Sequence, residues 1–255
     1  MNFELSFLLY IGVGFAAQMI DGALGMAYGV SSNTFLLSIG IPPAAASASV
    51  HMAEVVTTGI SGASHWKLGN VDWQLVKRLL IPGVIGAVAG AYLLTSLDGG
   101  MLKPYISAYL LAMGLLIIYK AFTMKIRKKP DEYHGPKVSW LGLVGGFCDA
   151  IGGGGWGPVV TSTLVARGKN PRTTIGSVNF SEFFVTLAQS ILFVLTLSFG
   201  EYWKIILGLL IGGAAAAPIA ARLSQKLPMK TLMVAVGILI SALSIRTIGQ
   251  ALGWW

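Results

Sequence analysis

Ten apolar segments separated by short polar breaks make up this chain. They run near residues 4–20, 24–39, 44–63, 77–97 and 102–120, and again near 138–150, 154–166, 172–198, 203–221 and 229–249. Residues 81–97, 105–119, 205–221 and 231–245 contain no charged side chain. Runs of this kind predict bilayer-crossing helices, which need about 20 mostly apolar residues and satisfy their own backbone groups. The first two segments of each set are short. They meet at an acid followed by glycines, "DGALGMAYG" from Asp21 and "DAIGGGGWG" from Asp149. Each such pair forms either two thin helices or a re-entrant hairpin.

The two sets are copies. A shift of 128 residues aligns 21–58 with 149–186 without a gap and gives ten identities in 38 positions, among them Asp21/Asp149, Gly25/Gly153, Ser49/Ser177 and Glu54/Glu182. Composition alone gives roughly three. The expected organisation is a first membrane repeat over 1–122, a basic linker over 123–137 and a second membrane repeat over 138–255. A thin pair or a hairpin contributes an even number of crossings. Each copy then crosses an odd number of times, and tandem copies of that kind are inverted relative to each other, as in many secondary transporters. The predicted fold class is an all-α polytopic membrane protein of two inverted-topology repeats, about five membrane segments each, with helices broken at the glycine-rich stretches.

Composition supports the membrane assignment and adds a topology. Hydrophobic residues make up 55% and charged residues 11% of the chain, and mean hydropathy is +0.73. A soluble domain carries about 25% charged residues. The net charge of +8 does not point to nucleic acid, because basic residues gather in the short cytoplasmic loops of membrane proteins. If the linker is cytoplasmic, 15 of the 18 Lys and Arg residues fall on that side, and only Lys103, Lys204 and Arg246 fall outside. The segment count and the charge bias give the same topology, with the cell membrane as location. The lone Cys148 excludes an internal disulfide and offers no metal-ligand spacing. No metal and no cofactor are expected.

Six of the ten acids lie in loops or at segment ends, and the other four are Asp21, Glu54, Asp149 and Glu182. Glu54 and Glu182 each lie about 15 Å into a segment, at 1.5 Å per residue. A carboxyl at midplane is costly unless paired, neutralised or hydrated, so both are proton-coupling candidates. The alternative is a protonated side chain that only bonds its neighbours. Ser49 and His51 accompany Glu54, and Ser177 and Asn179 accompany Glu182. Residues three apart share a helix face, which makes these four candidate substrate-binding groups. The breaks supply the rest of the expected site: Gly25 in the first copy, and Gly153, Gly154, Gly155 and Trp156 in the second. A glycine-rich break before a helix exposes backbone N–H groups where the helix dipole is positive. That makes an anion site without Lys or Arg. Asp21 and Asp149 would repel an anion directly, so a capping or break-holding role is expected of them. Gly86, Gly90, Gly208, Gly212 and Gly213 are read as helix-packing positions.

The acid with its glycine-rich break, followed by P-x5-S-V-x3-E at Pro43 to Glu54 and at Pro171 to Glu182, resembles the TauE/SafE family of membrane permeases. The likeness covers both halves. "GGGGWGPVV" follows the family pattern, whereas "GALGMAYGVSS" departs from a pure glycine run. The resemblance implies a secondary transporter of a small sulfur-containing oxyanion, sulfite or a sulfonate, driven by the proton-motive force. Its expected partners are the anion, protons and the lipid bilayer. A passive anion channel is the alternative. No P-loop, GxGD or G-x-S-x-G motif is present, so neither an ATPase nor an intramembrane protease is indicated.

Overall fold

The computed structural model describes residues 3–24, 26–123, 136–197, 200, 202–223 and 229–254, and the described residues form ten helices with no strand. In chain order these are α1 (Phe3–Leu24), α2 (Tyr28–Ser38), α3 (Pro43–Lys67), α4 (Trp73–Ser96), α5 (Gly99–Thr123), α6 (Pro136–Gly152), α7 (Ser162–Ala166), α8 (Pro171–Thr196), α9 (Trp203–Leu223) and α10 (Met229–Ala251). A π-helical turn, Gly157–Thr161, leads into α7. Shifted by 128 residues, α1 to α5 fall on α6 to α10.

Local chemistry sets the helix ends, and it is duplicated. Pro43 and Pro171 open α3 and α8 at a first-turn position where no intrahelical N–H is needed. Asn170 caps α8 through Arg172 N–H at 2.9 Å, and Asp72 caps α4 through Gln74 N–H at 2.9 Å. The stop after α2 recurs after α7. Gly40 and Gly168 are left-handed, at φ 96° and 84°. Ile41 N–H reaches Leu36 O at 3.0 Å, and Lys169 N–H reaches Leu164 O at 3.2 Å. Both turns are Schellman closures, which require a residue tolerant of positive φ.

Helices α4, α5, α8 and α10 are long and apolar enough to cross a membrane. The expectation of a short first segment needs revision for the first copy, because α1 has 22 residues, about 33 Å at 1.5 Å per residue. Helix α2 has only 11 and reaches about 16 Å, half of a bilayer core.

The copies interlock. Helix α1 packs on α9, and α6 packs on α4 in the corresponding way; α3 pairs with α8, and α5 with α10. Glycines bring the crossed pairs close. A Cβ at Gly90 would lie 2.7 Å from Phe147 O, and one at Gly86 would overlap Leu143 O of α6. Gly208 and Gly212 press on Tyr10 and Ile11 of α1 in the same manner. Gly213 instead faces the Tyr28 ring, 3.4 Å from its hydroxyl.

This packing gives a paired test on one helix. A Cβ at Gly14 would fall on the Leu209 backbone of α9, 2.7 Å from its Cα, whereas a Cβ at Gly12 meets nothing within 4 Å. Gly14→Ala is expected to destabilise the detergent-purified protein by about 1–3 kcal/mol, and Gly12→Ala to change it by less than about 0.5 kcal/mol. Thermal unfolding of the two variants reads the difference.

Candidate functional site

The two breaks meet inside the bundle. Gly29, in the first turn of α2, lies so close to the second break that a Cβ there would lie 2.6 Å from Gly153 O and 2.7 Å from Gly154 Cα. Gly153 and Gly154 take φ of 63° and 155°, values open to glycine at little cost. The first break uses Ala27 at φ 108° instead, a strained conformation for a residue with a Cβ. Thr58 and Thr186, equivalent under the 128-residue shift, approach within 3.5 Å through their hydroxyls. Gly25 lies outside the described residues, as do Lys128 and most of the basic linker.

Asp149 occupies the second break. Its Oδ1 accepts the N–H groups of Gly155 at 2.8 Å and Trp156 at 3.0 Å. Its Oδ2 accepts the Gln189 amide at 2.9 Å and faces His51 Nε2 at 3.1 Å. The chain thus seats its own carboxylate on two of the amides that the glycine run exposes. Asp21 repeats part of the arrangement, accepting Tyr28 N–H at 3.3 Å.

His51 comes from the other copy and is completely buried. Its Nδ1 lies 2.8 Å from Ser47 O. A carbonyl only accepts, so Nδ1 carries a hydrogen. Nε2 faces Asp149 Oδ2 at hydrogen-bond distance, so the imidazole joins the two copies through one ring nitrogen on its own helix and the other on the second break. Glu54 Oε2 stands 3.8 Å from the same Nε2. It is buried and has no hydrogen-bond partner among the described residues.

Beside these groups lies a cavity of about 300 Å³. Its wall includes all four intramembrane acids, Asp21, Glu54, Asp149 and Glu182, together with Thr57, Thr58, Ser61 and Asn179. No Lys or Arg belongs to that wall among the described residues. Gly154 and Gly155 reach it, whereas Ser49, His51, Gly153, Trp156 and Ser177 do not. The hydroxyls of Ser49 and Ser177 donate to the carbonyls four residues earlier, Ala45 and Thr173, each at 2.7 Å. Trp156 is wholly buried and donates its indole N–H to Val178 O at 3.2 Å.

Sequence reasoning missed three groups. Gln189 and Ser61 are equivalent under the repeat shift, and the spacing 51, 54, 58, 61 on α3 continues one helix face, so extending that stripe would have found Ser61. Lys120, at the end of the 102–120 segment, is one of the 15 basic residues that the sequence assigns to the cytoplasmic side. Its ammonium in fact donates to Pro158 O at 3.0 Å and to Ser162 Oγ, bracing the π-helical turn. Breaking one partner out of a buried pair leaves the other unsatisfied and costs about 3–5 kcal/mol. His51→Ala is therefore expected to lower stability by that amount. Ser49→Ala, which removes only a bond to its own helix, should cost less than about 1 kcal/mol. Chemical denaturation in detergent compares the two.

The chain is similar to known proteins. Residues 10–247 match the family model described as sulfite exporter TauE/SafE. The probable membrane transporter protein YtnM of Bacillus subtilis is 46% identical over 247 residues, covering 94% of this chain and 82% of that protein. Two probable membrane transporter proteins of Haemophilus influenzae are 29% and 27% identical, over 88% and 95% of this chain and 91% and 94% of their own lengths. No solved structure matches. An all-helical chain with an acid-lined cavity between two broken helices, matched to this family model over nearly its whole length, belongs to the TauE/SafE family of membrane transporters.

Proposed function

We propose that this protein is a secondary transporter of a small sulfur-containing oxyanion, sulfite or a sulfonate, and that protons accompany the anion. The observation that carries the reading is the cavity wall. It holds four carboxyl groups and no Lys or Arg among the described residues. His51 lies 3.1 Å from Asp149 and 3.8 Å from Glu54. One imidazole does not offset four carboxylates, and in low dielectric an anion beside them is unfavourable unless protons intervene. Glu54 and Glu182 occupy equivalent places on α3 and α8, one from each copy, and both border the cavity. They are the groups assigned to carry those protons.

Coupling through Glu54 and Glu182 predicts a specific failure. Glu54→Gln and Glu182→Gln keep the shape of a protonated carboxyl but cannot release the proton. At least one of them should retain sulfite exchange in proteoliposomes while losing stimulation by a pH gradient. Wild-type pH dependence in both variants would return the carboxyls to a scaffold role.

The proposal includes inverted repeats in the cell membrane with the central loop in the cytoplasm. The charge bias of the sequence supports it, and so does the helix-by-helix correspondence of the two copies. Leu68 and Thr196 are exposed, repeat-equivalent positions after α3 and near the end of α8. In a Cys148→Ser background, Leu68→Cys should react with an impermeant thiol reagent only from the cytoplasmic face. Thr196→Cys should react only from the outer face. Reaction of both from the same side would show the copies to be parallel.

A further inference from the structure

The repeat equates Asp21 with Asp149, Asn179 with His51 and Ser61 with Gln189. The structure uses the two sets differently. Asp149 is 2% exposed and meets His51, Gln189 and the amides of Gly155 and Trp156. Neither His51 nor Gln189 reaches the cavity wall.

The counterparts of those four partners are all among the described residues, yet they leave Asp21 with Tyr28 N–H alone, at 3.3 Å. Asn179 turns away and donates to Ser61 Oγ at 2.8 Å. Asp21, Ser61 and Asn179 all line the cavity. The change of residue type explains the difference. Gln189 is long enough to cross to its acid, and His51 can carry the balancing proton. Serine is too short for the first task, and asparagine does not titrate for the second. Ser61 accepts from Asn179, so its own hydroxyl proton and the second amide proton of Asn179 remain for a ligand. These are adjacent, uncharged donors, the kind of group that holds an oxyanion.

We infer that the duplicated site has become one-sided. The Asp149 half is a permanent internal lock that fixes the second broken helix, and the transported anion is held by the hydroxyl of Ser61 and the amide of Asn179, next to Asp21. Asp21 repels an anion there unless it carries a proton, in keeping with proton-accompanied entry. The inference rests on the transport reading for its ligand but not for its geometry.

Two measurements test it. In a Cys148→Ser background, Ser61→Cys and Gln189→Cys are each labelled with N-ethylmaleimide in membranes. A thiol in the hydrated cavity should react at least about tenfold faster than one in the sealed half. Equal rates, or faster labelling at position 189, would overturn the one-sided site. This result stands whether or not sulfite is a substrate, so it fails separately from the functional reading. In sulfite uptake by proteoliposomes, Ser61→Ala should raise KM about tenfold with kcat little changed, the effect of one lost hydrogen bond to the ligand. Gln189→Ala should leave KM unchanged and reduce the amount of folded protein. A KM effect confined to Gln189→Ala would contradict the assignment.

Discussion

Asp149 holds the centre of this protein together. Its carboxyl gathers two backbone amides of the second break, an amide side chain from α8 and the imidazole of His51 from α3. These partners come from both copies of the repeat. A break in the middle of a bundle leaves polar backbone without intrahelical partners, and in a membrane nothing outside the protein can satisfy it. One buried acid answers that requirement for the second break. A buried acid in turn needs polar partners, and His51 reaches it from the opposite copy at 3.1 Å. The two halves are tied together where each would be least stable alone.

What the transporter can carry follows from the groups the lock leaves over. Asp21, Glu54 and Glu182 remain on the cavity wall, which carries no Lys or Arg among the described residues and one histidine, His65. A fixed positive charge in that space would hold an anion tightly and release it slowly. Uncharged donors with removable protons make occupancy depend on protonation, and this suits a carrier that must both bind and release. Lys120 shows where a cation is tolerated: it is turned into the π-helical turn, bonded to Pro158 O and to Ser162.

Much of this was legible in the sequence because duplication amplifies weak signals. A single apolar segment is ambiguous, but ten that align in two sets of five fix the element order. The helices follow that order, including the short ones at 28–38 and 162–166. The four intramembrane acids were also legible, since a carboxyl in an apolar run stands out, and all four reach the cavity. Side-chain direction was not legible. Ser49 and Ser177 look like ligands by type, yet both hydroxyls bond back to their own helices. The glycine run predicts open amides and the acid beside it a capping role, but which amides Asp149 takes, those of Gly155 and Trp156 six and seven residues later, depends on the path of the break. The contact between His51 and Asp149 joins residues 98 apart and depends on how the copies cross, a relation that no local pattern encodes.

Proton flux during anion entry tests the central claim most directly. Thiosulfate and methanesulfonate are fully ionised at neutral pH, so neither carries a proton of its own across a membrane. With either one, or with sulfite, imposed as an inward gradient on proteoliposomes loaded with a pH-sensitive dye, an acid-lined cavity without fixed cations predicts that the anion that enters acidifies the lumen in proportion to its uptake. At least one of Glu54→Gln and Glu182→Gln should abolish that acidification. Uptake of thiosulfate or methanesulfonate at the wild-type rate with no change in lumenal pH would contradict the account, because the anion would then have passed the four carboxyl groups without the protons that make its passage favourable.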